Sequence, residues 1–184
     1  MPKLPIGDMG PVEIVWDYGE SAAMYLGEYL SGVKLTMSTT VHDIQEEAAG
    51  DAAVDAIYGG SVVELEIPLS RSTLAQLNEV LLSEIETSGD HQYLILKNAI
   101  GCDLYDLAKS VVLKPFCGDE VSTDPAEWIE LYRCYPVPGM DLTFDRSTQR
   151  IFPTKFKVFV SHESGQEGDF GTLGMPSGST EYGF

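Results

Sequence analysis

Val33-Lys34-Leu35-Thr36-Met37-Ser38-Thr39-Thr40-Val41 alternates along its length. Successive side chains of a strand point to opposite faces. Val33, Leu35, Met37, Thr39 and Val41 therefore share one face, and Lys34, Thr36, Ser38 and Thr40 the other. One face is expected to meet a core, the other water or a partner. Val62-Val63-Glu64-Leu65-Glu66-Ile67 repeats the pattern, with Glu64 and Glu66 on one side and Val63, Leu65 and Ile67 on the other. Pro68 is expected to end this strand or to mark an edge.

Outward from this pair the chain keeps reading as strands. Gly10-Pro11 opens Val12 to Trp16, which closes near Asp17-Tyr18-Gly19. Gln92 to Leu96, Ser110 to Phe116, Trp128 to Tyr135 and Arg150 to Val160 are further strands, with Gly101-Cys102-Asp103 a turn and Pro136-Val137-Pro138-Gly139 a strong stop. One helix interrupts them. Thr73-Leu74-Ala75-Gln76 fits a capping box. Leu74, Leu77, Leu81 and Ile85 then recur at helical spacing, and Ser88-Gly89 ends the run. The expected fold is mainly β: an antiparallel β-sandwich or partly closed barrel, with one flanking α-helix, an extended loop and terminal arms. A length of 184 residues suggests a single domain. Its core spans about residues 10–160, with a C-terminal arm over 165–184.

His42 to Gly60 reads as the long loop. It holds Asp43, Glu46, Glu47, Asp51 and Asp55 and no Lys or Arg, and Gly50-Asp51 and Gly59-Gly60 punctuate it. Loops of this length in compact domains are usually functional or disordered. Ile44, Val54, Ile57 and Tyr58 give it apolar anchors, so it is expected to order against something. The Gly/Ser-rich stretch from Gly165 to Phe184 reads as a flexible arm.

Lys and Arg total 11 against 29 Asp and Glu, a formal charge of -18. The acids are interleaved with strand sequence rather than gathered in a tail, which places the charge on a sheet surface. Wrapping of nucleic acid is disfavoured, because phosphate contacts need basic patches. No apolar run is long enough for a membrane span. Met1-Pro2-Lys3-Leu4-Pro5 lacks the apolar stretch of a signal peptide, so synthesis in the cytoplasm is expected. Cys102, Cys117 and Cys134 are too widely spaced for a disulfide framework and read as small buried side chains. His42, His91 and His162 lie far apart without a zinc spacing. There is no Gly-x-Ser-x-Gly elbow, and Gly168-Asp169-Phe170-Gly171-Thr172-Leu173-Gly174 lacks the Gly-Lys-Ser/Thr ending of a phosphate loop. Glu46-Glu47 or Glu64/Glu66 could serve as an acid–base pair, but nothing selects them from the other carboxylates. The expectation is no catalysis, no metal and no cofactor.

Three segments carry a resemblance to a known family. They are Val54-Asp55-Ala56-Ile57-Tyr58-Gly59-Gly60, the strand Ser61 to Leu69 followed by a helix from about Thr73, and Ile151-Phe152-Pro153-Thr154-Lys155-Phe156-Lys157-Val158-Phe159. Their order resembles the major tail tube protein of long-tailed bacteriophages. The resemblance implies a structural virion protein, made and assembled in the bacterial cytoplasm. Its subunits form homo-hexameric rings that stack into a tube. The implied partners are the tape measure protein, the tail terminator, the baseplate or distal tail proteins, genomic DNA in transit, and a sheath if the tail contracts. It further implies a negatively charged channel, for which Glu64 and Glu66, and less directly Glu13 and Glu130, are the lumen-facing candidates. Asp43, Ile44, Glu46, Glu47, Asp51, Val54, Asp55, Ile57 and Tyr58 would form the loop that reaches a neighbouring subunit or ring. Lys34, Arg71, Lys109, Arg146 and Arg150 are the basic residues open to pair with its acids. Two other readings compete: a soluble sandwich binding module with covered edges, and a carboxylate-dependent hydrolase with a concave pocket.

Overall fold

The computed structural model describes residues 11–26, 28–29, 32–45, 53–97, 100–117, 120–137 and 152–174. The first layer begins with β1 (Val12–Trp16), whose Ile14 and Trp16 point into the core. On one side it pairs with the two-residue β2 (Met24–Tyr25), on the other with β8 (Lys109–Cys117). β8 in turn pairs with β10 (Ile129–Val137), and the short β9 (Glu120–Val121) and β12 (Gly171–Leu173) add to β8 and β10. The second layer holds β11 (Phe152–Phe159) beside the long β5 (Ala53–Arg71). β5 is flanked further by β3 (Glu28–Tyr29) and β4 (Lys34–Gln45). Every pairing is antiparallel, and the main path runs β2-β1-β8-β10-β11-β5-β3. β6 (Glu84–Ser88) and β7 (His91–Ile95) form a separate two-stranded sheet.

One sheet becomes two layers because β10 turns a corner. Its register on β8 shifts between Leu131 and Cys134, and from Arg133 onward it also pairs with β11, Cys134 standing between Lys109 of β8 and Val158 of β11. Irregularities of this kind let a strand pass from one layer to the other. β1 and β11 are three strands apart along the sheet, about 14 Å in a flat sheet at the usual strand spacing. The rings of Trp16 and Phe156 nevertheless stand 5.4 Å apart, so the sheet has folded over onto itself. Between the layers lie Ile14, Trp16, Val111, Leu113 and Leu131 from one side and Val63, Leu65, Ile67, Leu69, Phe156 and Val158 from the other. Among the described residues the path ends at β2 and β3 without joining, so the expected sandwich is what forms and no barrel closes.

The helix is shorter than its apolar spacing predicts. α1 covers Leu74–Leu81, and the Thr73 capping box forms on both sides: Thr73 Oγ1 accepts from the Gln76 N–H, and Gln76 Oε1 from the Thr73 N–H. Leu82 then takes the left-handed conformation (φ 48°), and Ile85 lies on β6. The spacing of Leu74, Leu77 and Leu81 continues to Ile85 in sequence only. Glu84–Ser88 and His91–Ile95 flank Gly89-Asp90, a two-residue hairpin signal that outweighs it. Pro68 does not end its strand, which runs on to Arg71; Pro68 faces Pro153 of β11 in the register. The glycine-rich stretch after Gly165 is strand in part. β12 lies along β10, and residues 175–184 fall outside the described residues, as do 1–10. Of the cysteines, Cys134 is buried and Cys102 is exposed, which corrects the expectation for Cys102. The side chain of Cys117 falls outside the described residues.

Candidate interaction site

The expected loop over His42 to Gly60 is instead the far end of a strand pair. β4 runs through Gln45 and β5 begins at Ala53; residues 46–52 between them lie outside the described residues. β11 pairs with β5 over Val63–Leu69, so, among the described residues, 53–62 have β4 alone paired beside them. At the usual rise per residue this two-stranded arm is about 30 Å long. Sequence reading missed it because neither face of the arm meets a core. Strict alternation is imposed by burial on one side, and here that constraint is absent. The signal that was present is the apolar content of Val54 to Tyr58 itself.

The register decides which side chains share a face. Val41 stands opposite Tyr58, and with Met37 these continue the core-facing side of the sheet out into solvent. Met37 is 61% exposed and Tyr58 62%. Val62, Ile57 and Ile44 lie on the other face, where Ile57 stands opposite His42. They are also exposed, as is Val54 at the second register shift. The core face expected for Val33 to Val41 thus ends at Leu35, beyond which the strand leaves the sandwich. Isolated exposed apolar residues are ordinary; a contiguous set on both faces of one projecting element is not.

Two glycines set the base of the arm. The register slips between Thr40 and Val41, leaving Gly59 as the extra residue of a bulge. A Cβ on Gly59 would stand 2.8 Å from His42 Nε2, so the imidazole occupies the space that a side chain would need. Gly60 has φ +119°, a conformation open to glycine and rarely to other residues. Next to the bulge, Tyr58 Oη and Ser61 Oγ share a hydrogen bond of 2.6 Å, and Ser61 Oγ and Thr39 Oγ1 another of 2.9 Å.

The structure separates the four expected lumen residues. Glu64 and Glu66 share the outer face of the second layer. Glu13 and Glu130 stand on the outer face of the first, in register with Lys114 and Val112. No single wall carries all four. Nor is the Glu64/Glu66 face purely acidic. In register, Lys34 and Lys155 flank Glu66, and Lys157 stands beside Glu64. Lys155 Nζ is 2.8 Å from Glu66 Oε1, and this hydrogen bond holds the Glu66 carboxyl below the ordinary range and the lysine above it.

Of the expected basic partners, Lys109 is engaged within the chain. Its ammonium sits 3.1 Å from Asp17 and 2.9 Å from Glu79, which also accepts the Trp16 indole N–H at 3.2 Å. Burial pulls the Lys109 pKa down, but the hydrogen bonds and charges of Glu79 and Asp17 together raise it. Lys34 lies at the root of the arm, with its own strand neighbour Glu66. Arg71 ends β5, with its side chain outside the described residues. Arg146, Arg150, Glu46, Glu47 and Asp51 lie outside them as well. Asp43 and Asp55 are on the arm, and the Asp55 carboxylate accepts the Ala56 N–H. No protein-family model matches this sequence, and no curated protein matches it.

Proposed function

We propose that this chain is a β-sandwich binding module that acts by docking its two-stranded arm on another protein. The observation behind the proposal is the arm itself: a strand pair that leaves the sandwich and exposes apolar side chains on both faces. Such a surface is costly to leave in water and gains stability once covered. The outer edge of β4 is also long and unpaired among the described residues. A second strand can add to an edge of that kind.

In its narrower form, the partner is the next copy of the chain, as the tail-tube resemblance implies. Stacked hexameric rings would then use the arm to reach a neighbouring subunit or ring. The tape measure, terminator and baseplate proteins would be the further partners, and DNA would pass through the finished tube. The acidic channel is the least supported part of that form, because Lys34, Lys155 and Lys157 share the face of Glu64 and Glu66.

The test is the mass of the purified protein by light scattering, with electron microscopy of the same sample. It compares the natural chain with the double variants Val41→Asp/Tyr58→Asp and Ile57→Asp/Val62→Asp. Rings or tubes lost in the variants, with thermal stability unchanged, would support self-assembly. A monomer that takes up no copies, even with a tail initiator added, would favour a different protein as partner. Assembly or partner binding untouched by both variants would remove the arm from the account.

A further inference from the structure

A second feature stands apart from the arm. On the outer side of the first layer a cleft of about 240 Å³ opens between the end of β1, the start of β8, the middle of β10 and the loop around Glu163. Four carboxylates line it, from Asp17, Glu20, Glu130 and Glu163, with two cations, Lys109 and Arg133. Both cations are already engaged. Lys109 is held by Asp17 and Glu79. Arg133 pairs with Glu163, donates to the Ala108 carbonyl at 3.3 Å and lies over the Tyr105 ring. Glu130 is different: it is half-buried, and among the described residues no hydrogen bond or ion pair reaches its carboxylate.

We infer that this cleft binds an organic cation, a primary amine or guanidinium group that pairs with Glu130. A carboxylate withdrawn from water without a partner is unfavourable. A cation supplied from outside the chain would offset that cost. Burial also holds the Glu130 carboxyl above its ordinary range, the condition that an arriving cation reverses. Tyr132, two residues along the same strand, lines the same cleft and adds an aromatic ring to the site. A divalent metal fits less well, since it needs several oxygen ligands and Asp17 and Glu163 are already paired. No group of three possible metal ligands occurs among the described residues. The cation can be a lysine or arginine side chain of another protein or a free small amine.

Titration of the isotope-labelled protein with butylammonium chloride, read by amide chemical shifts against sodium chloride at equal ionic strength, tests the site. Saturable shifts centred on Ser110, Glu130 and Tyr132 are expected. Affinity should fall at least tenfold in Glu130→Gln and stay unchanged in Asp90→Asn, an exposed carboxylate on the β6–β7 turn outside the cleft. The same spectra report whether each variant is folded. A lysine-containing tripeptide and cadaverine, run in parallel, separate the two sources: tighter binding of the peptide points to a protein side chain, tighter binding of the diamine to a free ligand. Shifts that fail to saturate, that scatter over the acidic surface, or that are equal in Glu130→Gln would overturn the assignment. The arm variants should leave the titration unchanged, so it stands or falls apart from the docking proposal.

Discussion

Gly171 holds β12 to the sandwich by having no side chain. A Cβ there would collide with the carbonyl oxygen of Glu130, so the two backbones approach as only glycine permits. In sequence the residue sits in a glycine-rich run and looks like part of a flexible arm. Composition cannot tell a glycine kept for freedom from one kept for close approach. Gly171→Ala should cost about 1–3 kcal/mol, as overpacking does, with a lower melting temperature and faster amide exchange at residues 171–173. Lys109 gives a prediction in pH. Its pKa is raised on folding, so its ion pairs stabilise fully below the ordinary lysine value of about 10.4 and are lost as pH rises through the folded value. The difference in urea midpoint between the natural chain and Lys109→Met should be steady up to about pH 9 and shrink above about pH 10.4. Nothing in the sequence links Lys109 to Asp17 and Glu79, because the three come from β8, the turn after β1 and α1.

Strands that face the core were legible because burial writes its period into them. Val63, Leu65 and Ile67 are buried and Glu64 and Glu66 partly exposed, as the alternation requires. The capping box at Thr73 was legible too, being a local pattern with a local cause. The arm was not, and neither was the end of the helix, since both depend on what lies beside the segment in space. At the base of the arm, Gly60→Val would place a β-branched residue at a φ it rarely takes, a strain of order 1–3 kcal/mol. The bulge must then move, and a slip of one residue turns every side chain beyond it to the opposite face. Amide protection over residues 38–45 should therefore fall well before the sandwich itself melts. Equal loss of protection in β1 and β8 would mean that the arm and the sandwich unfold as one unit.

For the molecule as a whole, stability rests on the closure of one folded-over sheet. Trp16 and Phe156 meet across the layers, and Val80 of α1 packs into the same cluster. Phe156→Ala should cost about 3–5 kcal/mol, the usual range for losing a buried aromatic ring. It should loosen both layers together, seen as a single lowered denaturation midpoint. The acidic total, by contrast, has little to do with the fold. It bears on solubility and on the choice of partner, which is why charge pointed to function classes and alternation to architecture. The sandwich was legible in the number and alternation of the strands, but the strand at which the sheet folds over was not, because the turn in β10 shows itself only as a register shift.

The pairing order has a consequence in time. β1 at residues 12–16 has the two-residue β2 close by but waits for its main partner at 111–115, while β4 and β5 are neighbours in the chain. Contacts between distant segments form slowly and nearby ones fast. As a ribosome delivers the chain from its N-terminus, the arm can close while β8 is still unmade. The surface proposed to bind is then on display before there is a core to carry it. A growing chain would meet its partner, or a chaperone, with the arm leading.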